Sequence, residues 1–294
     1  MPVFAHRAVE KISMRLRSLL FVPGDRADWM EKAEGYGADA LILDLEDSVA
    51  PEKKAAARGV VAWCLSRAPR PVPLFVRINP LPSGLALDDL AAVVAGGPDG
   101  IVLPKAEGAA SVEELDRLLG GQGNESALIL PIATETPAAI FALGGYRAVA
   151  KRLCGLTWGA EDLPAAIGAA TAREADGGYT PPYEVVRALL LFGAHAAGVP
   201  AIEAVYPGFR DGEGLARYAA RGRRDGFSGM LAIHPSQVCV INQAFSVSAD
   251  EVAWARRVVA LFDAHPGAGA LSLDGKMVDL PHLKQALHLL SLSN

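Results

Sequence analysis

The sequence contains few cysteines and no long uninterrupted hydrophobic segment. Cys64, Cys154 and Cys239 lack the spacing of a metal site or a disulfide framework, which is typical of a protein from a reducing compartment. The most apolar stretch, residues 188–202, is interrupted by a histidine and a proline and is too short to span a bilayer. The first segment, MPVFAHRAVEKISMRLR, lacks the apolar run of a signal peptide. We therefore expect a cytoplasmic protein with no membrane partner.

An excess of basic charge is also absent. The formal net charge is -5, so the chain has no general positive field of the kind that binds nucleic acid, and no such partner is expected. Hydrophobic residues make up 51% of the sequence and charged residues 21%, which excludes a disordered chain and allows a large core.

Short apolar segments recur along the chain. Nearly every residue in them is apolar, as in parallel strands that are buried on both faces. Several follow one another at about 27 residues, the length of a strand-helix unit. The eight segments begin at Ser18, Ala40, Pro73, Gly100, Ala127, Leu153, Pro200 and Gly229. Eight such units predict a (β/α)8 barrel, or TIM barrel, over residues 1–245, with a C-terminal helical extension over residues 246–294.

Helices are predicted between and after these segments. Residues 111–119 form an amphipathic pattern that opens on Ser111 as a capping residue. Glycine and proline pairs in residues 161–199 indicate an extended loop over the barrel mouth, followed by a helix. Beyond a hinge at residues 266–270, the pattern favours a strand or turn and a final helix.

Charged residues follow most of the apolar segments. In a (β/α)8 barrel these positions surround one mouth, where the active sites of this fold lie. The residues are Asp44, Glu46, Asp47, Arg77, Lys105, Glu135, Glu161, Asp162 and His234. Because this ring is rich in carboxylates and has no cysteine, it favours Mg²⁺, or Mn²⁺, over Zn²⁺. Arg77 would lie near the metal, where a guanidinium can bind a carboxylate or stabilise an enolate.

Eight short motifs occur in a fixed order along residues 17–289. They are RSLLFVPGDR, LILDLEDSV, FVRIN, VLPKAE, ATETPAAI, WGAEDL, LAIHPSQV and GKMVDLP. In this order they resemble the citrate lyase β-subunit and malyl-CoA lyase family of the HpcH/HpaI aldolase superfamily. The resemblance implies a magnesium-dependent lyase that cleaves, or forms, a 3-hydroxyacyl-CoA such as citryl-, malyl- or citramalyl-CoA. The products would be an acyl-CoA and a 2-oxo acid, and the enzyme a homotrimer or hexamer.

The resemblance assigns roles to individual positions. Glu135 and Asp162 match the two metal ligands of the family. Arg77 matches its substrate-binding, enolate-stabilising arginine, and Arg17 matches a second anion-binding arginine. Structural alternatives exist, because Asp162 could cap a helix and Arg17 could pair with acidic side chains inside the mouth.

Further residues are expected around this centre. Asp279 matches an acid/base that the C-terminal segment of a neighbouring subunit contributes in the family. Glu46 and Asp47 are expected in the catalytic centre, where they hold metal-bound water or neighbouring side chains. Three more residues are expected to contact the substrate or its coenzyme: Lys105, Lys53 and His234. Their structural alternatives are an ion pair, a solvated charge and loop packing, in that order.

Three other functions remain open. Water could enter the same site and make the protein a malyl-CoA-type thioesterase. A class II aldolase acting on free 2-oxo acids would resemble this chain, except that a histidine base would replace Asp47. A non-catalytic subunit could hold an acyl carrier protein, although it would not need an intact set of metal and acid/base residues. An acyl-carrier thioester in place of the CoA thioester is a further open choice.

Overall fold

The computed structural model describes residues 14–175 and 177–292. The chain divides into two compact units, the first ending at Ala244 and the second beginning at Phe245. This division lies one residue before the boundary expected from the sequence. Within the described ranges, no helix combines the length and apolar character needed to cross a membrane.

The first unit alternates strands with helices. Its strands are β1 (Ser18–Pro23), β2 (Ala40–Asp44), β3 (Leu74–Arg77), β4 (Gly100–Leu103), β5 (Leu128–Pro131), β6 (Leu156–Thr157), β7 (Ala201–Glu203) and β8 (Gly229–Ala232). Its α-helices are α1 (Ala27–Ala33), α2 (Lys54–Ser66), α3 (Ala86–Val93), α4 (Ala109–Gly121), α5 (Pro137–Ala142), α6 (Leu163–Ile167), α7 (Pro181–Ala197), α8 (Gly212–Asp225) and α9 (Pro235–Ala244). Short 3-10 segments cover Pro51–Lys53, Leu81–Ser83, Val94–Gly96 and Leu143–Arg152.

The eight strands form one parallel sheet in the order β5-β4-β3-β2-β1-β8-β7-β6. The two end strands approach each other through parallel bridges that join Ile129 to Leu153 and Ile132 to Thr157. The sheet is therefore a nearly closed barrel, and the predicted (β/α)8 fold is confirmed. Parallel pairing aligns Pro23 with Asp44 and Asp44 with Arg77, so the carboxyl ends of β1, β2 and β3 lie at one level.

The barrel has an apolar interior. Its core cluster consists of Leu16, Leu19, Ala40, Ile42, Phe75, Val102, Leu130, Ile132, Ile202 and Leu231. Phe75 is the largest of these side chains, and it fits because β4 begins with a glycine. A Cβ atom on Gly100 would lie 2.3 Å from the Phe75 ring, far inside van der Waals contact. The interior is thus filled by side chains, and ligands are left to the mouth.

The structure changes one helix boundary that was expected from the sequence. Helix α4 begins at Ala109 with Gly108 as its N-cap residue, so the prediction that Ser111 caps this helix is wrong. The Ser111 hydroxyl instead accepts a hydrogen bond from the Glu107 N–H. Between α6 and α7 an extended segment places Tyr179 against Trp158, with ring centroids 4.9 Å apart.

A buried polar network ties α7 and α8 to the end of β7. The fully buried Glu203 carboxylate accepts hydrogen bonds from the Trp158 indole at 2.6 Å and from the Tyr218 hydroxyl at 2.8 Å. Its other oxygen forms an ion pair with Arg187, whose second partner is Asp225 at 2.8 Å. Because a buried charge is costly without partners, this network requires one arrangement of the surrounding elements.

The second unit contains α10 (Ala249–Ala264), a hairpin of β9 (Ala270–Leu273) and β10 (Lys276–Asp279), and α11 (Leu280–Leu292). A capping box formed by Ser248 and Glu251 opens α10. A separate small core holds this unit together, with Val258, Phe262 and Ala286 among its buried members. The strand-and-helix pattern expected after the hinge is therefore present.

Glu203→Ala should destabilise the protein strongly, because it leaves the buried Arg187 guanidinium without its nearest carboxylate. We expect a loss of about 3–5 kcal/mol in the free energy of unfolding, measured by urea denaturation. Glu213→Ala is the matched control, since that side chain is 94% exposed and should change stability by less than about 0.5 kcal/mol. Equal effects of the two substitutions would contradict a structural role for the network.

Candidate active site

An ion pair between β2 and β3 forms the floor of the site. The Arg77 guanidinium donates two parallel hydrogen bonds of 2.7 Å to the Asp44 carboxylate. Asp44 is almost fully buried and also accepts bonds from the backbone N–H groups of Glu46 and Ser48. Such a bidentate pair fixes the plane of the guanidinium and directs its remaining nitrogen, Nη1, towards the mouth.

That remaining nitrogen, Arg77 Nη1, faces two further acidic residues. It lies 2.9 Å from the buried Glu46 carboxylate and 3.6 Å from Asp47, whose side chain is 67% exposed. Burial raises the pKa of Glu46, against the influence of Arg77. The three acidic residues of the DLED motif therefore occupy different environments around one guanidinium.

Lys105 joins the acidic groups on the other side of the mouth. Its backbone N–H donates to Glu135 Oε2 at 2.6 Å. Its Nζ lies 3.1 Å from Glu46 Oε1 and 2.9 Å from Asp162 Oδ2. Burial lowers the pKa of Lys105, but the contacts with Asp162 and Glu46 raise it more, so the side chain is an ammonium. One residue thus contacts all three carboxylates.

The surroundings of Glu135 suit a cation. Burial raises the pKa of this 8%-exposed carboxyl to about 7, and the nearby Glu46 and Asp162 carboxylates add to the effect. The described part of the chain contains no group of three or more His, Cys, Asp or Glu residues arranged around a metal ion. Magnesium, however, usually takes one or two carboxylates and completes its shell with water and substrate oxygens. Glu135 and Asp162 therefore fit such an ion.

A hydroxyl links the two segments that carry these carboxylates. The Thr134 Oγ1 donates to the Gly159 carbonyl oxygen at 3.0 Å and accepts from the Gly159 N–H at 3.1 Å. A Cβ on Gly159 would lie 3.2 Å from the Glu135 side chain, so glycine leaves room for that carboxylate. Asp162 precedes α6 but makes no capping hydrogen bond with its side chain, so the helix-cap alternative is wrong.

A cavity of about 650 Å³ adjoins the ion pair. Residues of β1, α1 and the segment after β8 line it, together with Asp44, Asp47 and Arg77. His234 belongs to this lining and stacks on Phe209, with ring centroids 5.0 Å apart. Lys53 is not part of the lining; its exposed ammonium lies 3.3 Å from Asp25. The cavity is large enough for an organic ligand that reaches Arg77.

Arg17 is the one basic site residue of the first unit that the structure places elsewhere. It immediately precedes β1, and both its backbone N–H and its guanidinium donate to Asp39, which precedes β2. Asp39 is five residues before Asp44 in the sequence, so this pair lies at the amino ends of the strands, about 16 Å from the mouth. The prediction that Arg17 binds substrate at the mouth is therefore wrong, as is its pairing with the mouth acids.

Asp279 belongs to the second unit, at the junction of β10 and α11. Its carboxylate contacts His282 Nδ1 at 2.5 Å, and this hydrogen bond holds the pKa of Asp279 below its ordinary value. The His282 contact had no counterpart among the sequence-based expectations. A histidine three residues after an aspartate at a helix start was the available signal.

A second lysine at the mouth, Lys54, was not expected from the sequence. Lys54 Nζ donates to the carbonyl oxygens of Leu45 and Glu46 and to the Asn79 side chain, at 2.7–2.8 Å. These bonds hold the backbone that carries the DLED acids. No pattern separated Lys54 from its neighbour Lys53, because both begin the same helical segment and only their directions differ.

The chain is similar in sequence to known proteins. The chain is 37% identical over 267 residues to a citrate lyase subunit beta-like protein of Mycobacterium tuberculosis, covering 91% of this chain and 92% of that one. It is 32% identical over 297 residues to the mitochondrial citramalyl-CoA lyase of Homo sapiens, covering 94% of this chain and 85% of the human protein.

A solved structure resembles the whole chain. The crystal structure of protein CitE from Mycobacterium tuberculosis in complex with magnesium, acetoacetate and coenzyme A matches with a TM-score of 0.81 and 35% identity. The match covers 96% of this chain and 99% of that one. The model of the HpcH/HpaI aldolase/citrate lyase family matches residues 17–235, which include every candidate site residue of the first unit. The chain belongs to the HpcH/HpaI aldolase/citrate lyase family.

Proposed function

We propose that the protein is a magnesium-dependent carbon-carbon lyase that cleaves, or forms, a 3-hydroxyacyl thioester of coenzyme A. One observation carries this proposal: the Glu135 and Asp162 carboxylates and the Arg77 guanidinium face one mouth beside a cavity of about 650 Å³. The relatives named as lyases, and the ligands of the similar crystal structure, support the same chemistry.

The reaction creates two centres of changing charge. Cleavage next to a thioester transfers the proton of the hydroxyl to a base, turns the carbon that carried the hydroxyl into the ketone of a 2-oxo acid, and releases an enolate that must take up a proton at carbon. Glu135 and Asp162 would hold the Mg²⁺, which when bound supplies a Lewis acid for the oxygens of the oxo-acid half. A protein group must stabilise the second charge, which develops on the thioester oxygen.

Arg77 is placed to stabilise that second charge. Asp44 occupies two of its donors and prevents the guanidinium from turning. The positive charge therefore meets the enolate oxygen without reorganising as the reaction proceeds. Glu46 links Arg77 to Lys105 and so fixes the distance between the two cations. Lys105 would bind the substrate carboxylate, and Asp47 would orient water or neighbouring groups at the cavity.

The thioester would enter through the cavity. Its lining of Phe21, Trp29, Ile233 and Pro235 suits the apolar part of a coenzyme arm, and the polar edge carries His234 and Lys32. Lys53, at the same end of the barrel but exposed, would meet a coenzyme phosphate only at the periphery. An acyl carrier protein would present an equivalent arm.

The reaction also needs an acid/base group for the enolate carbon. We propose that Asp279 of a neighbouring subunit returns a proton to the enolate carbon, or removes it in the condensation direction. The proposal includes a cytoplasmic homotrimer or hexamer, since a site completed by a neighbour requires an oligomer.

Product analysis separates the lyase from a thioesterase: acyl-CoA with a 2-oxo acid supports the lyase, and free coenzyme A with an intact hydroxy acid overturns it.

Glu135→Gln and Asp162→Asn should each weaken Mg²⁺ binding by at least about tenfold and abolish turnover, because each removes a charged ligand without removing volume. Isothermal titration calorimetry of the full chain measures the affinity. Glu161→Gln is the control, since that neighbouring carboxylate is 63% exposed and should leave the affinity unchanged. Wild-type affinity in either test variant would remove that residue from the metal site.

Arg77→Lys should lower kcat by about 10²- to 10³-fold, because an ammonium cannot keep the bidentate contact with Asp44 while facing the enolate oxygen. Magnesium affinity, measured in parallel, should change much less. Arg117→Lys on the exposed face of α4 is the matched control. An unchanged kcat in Arg77→Lys would exclude the enolate-stabilising role.

Inactive Asp279→Asn chains and inactive Glu135→Gln chains should regain activity when they are unfolded and refolded together in equal amounts. A barrel from the first variant and an Asp279 from the second complete about a quarter of the sites in a randomly assembled cyclic oligomer. Each variant refolded alone is the control. If subunits mix but no activity returns, Asp279 does not act across subunits.

A further inference from the structure

Lys105 has a backbone conformation that its side chain does not favour. Its φ is +52°, in the left-handed region. Within residues 14–175 and 177–292, the only other non-glycine residue with a positive φ is Asp274. Residues with a Cβ rarely adopt this conformation, and those that do cluster at sites where the surroundings impose it.

The conformation directs both ends of Lys105 at the carboxylates. The backbone N–H points to Glu135, at 2.6 Å. The side chain returns across the mouth to Asp162 and Glu46, at 2.9 and 3.1 Å. One residue therefore holds Glu135 with its backbone and Asp162 with its charge, and the two contacts can be removed separately by substitution.

The ammonium carries the local positive charge on this side of the mouth. The ammonium lies near three carboxylates, those of Glu46, Glu135 and Asp162. Arg77 pairs with Asp44 and with one oxygen of Glu46. An Asp162 oxygen that would serve a divalent cation is thus occupied by Lys105 Nζ. An ammonium and a Mg²⁺ ion in contact with one carboxylate repel each other, and solvent at these side chains, which are 34% and 41% exposed, reduces the repulsion without removing it.

We propose that Lys105 is a positioning residue whose ammonium acts as an internal counter-ion for Asp162, and that binding of a divalent cation must displace it. This inference rests on the proposed function, which makes Glu135 and Asp162 the metal ligands. When no metal ion is bound, the ammonium offsets the repulsion between the Glu46 and Asp162 carboxylates. After displacement, its ammonium retains Glu46 and is available to an anionic substrate.

The rival interpretation gives the opposite sign. If Lys105 only preorganises the carboxylates for the metal, its removal should weaken metal binding. If it competes with the metal, its removal should strengthen binding, because one nearby positive charge is lost. The affinity for Mg²⁺ alone, without substrate, therefore separates the two roles and does not depend on turnover.

Isothermal titration calorimetry of the full chain with Mg²⁺ provides the test. Lys105→Met should bind Mg²⁺ about tenfold more tightly than the wild type. Lys105→Gly should bind equally tightly, since it also lacks the ammonium, although it relieves the left-handed backbone. Lys105→Arg keeps a positive charge and should stay within about threefold of the wild type. Lys151→Met, an exposed lysine elsewhere, controls for net charge.

Several outcomes overturn the inference. They are unchanged or weaker binding in Lys105→Met, tightening in the glycine variant alone, and equal tightening in Lys105→Arg. If Lys105→Met does not fold, judged by its thermal midpoint, the glycine and arginine variants still decide the sign. Asp162→Asn separates this inference from the proposed function: retained Mg²⁺ affinity there overturns the metal site itself. Loss of Mg²⁺ affinity in Asp162→Asn, together with unchanged affinity in Lys105→Met, overturns only the role of Lys105.

Discussion

The register of the parallel strands is the constraint on which the site depends. Hydrogen bonding aligns Pro23, Asp44 and Arg77 across three neighbouring strands, so that Asp44 and Arg77, 33 residues apart in sequence, become neighbours. A slip of one residue in β3 would turn Arg77 to the opposite face and break its contact with Asp44. The apolar interior opposes such a slip, because it would expose Phe75 and empty the space that Gly100 provides.

Charge at the mouth follows from this geometry. Arg77 pairs with Asp44 and also contacts Glu46, the Lys105 ammonium lies between Glu46 and Asp162, and Glu135 accepts from the Lys105 backbone N–H. Burial raises the pKa of Glu135 to about 7, and the like charges of Glu46 and Asp162 add to the effect, so a further negative charge is unfavourable there. The core and the Glu203 network stabilise the fold against this electrostatic repulsion, and a bound cation would reduce it.

The two sides of the barrel serve different purposes. On the β7 side, Glu203 is satisfied by Trp158, Tyr218 and Arg187, and all of its partners are protein groups. Near β2 to β6, Glu46 Oε2 lies 2.9 Å from Arg77 but makes no well-aligned hydrogen bond, and the same holds for Arg187 Nη2 beside Glu203. The two groups differ in exposure: Glu203 is fully buried, whereas the Asp162 and Asp47 side chains are 41% and 67% exposed at the mouth, where a ligand can reach them.

The barrel and most of the residues at its mouth follow from the sequence. Apolar segments at the spacing of βα units specify parallel strands, and residues at their carboxyl ends must meet because the strands run the same way. It did not determine which cation pairs with which carboxylate. Arg17 resembles a mouth residue in its motif but precedes its strand, and only the sheet shows that this places it at the opposite end. Lys53 and Lys54 are adjacent, yet helix geometry turns one to Asp25 and the other to the backbone of the mouth. Side-chain direction depends on φ, on helix phase and on contacts between residues far apart in sequence, so the tertiary structure alone decided these pairings.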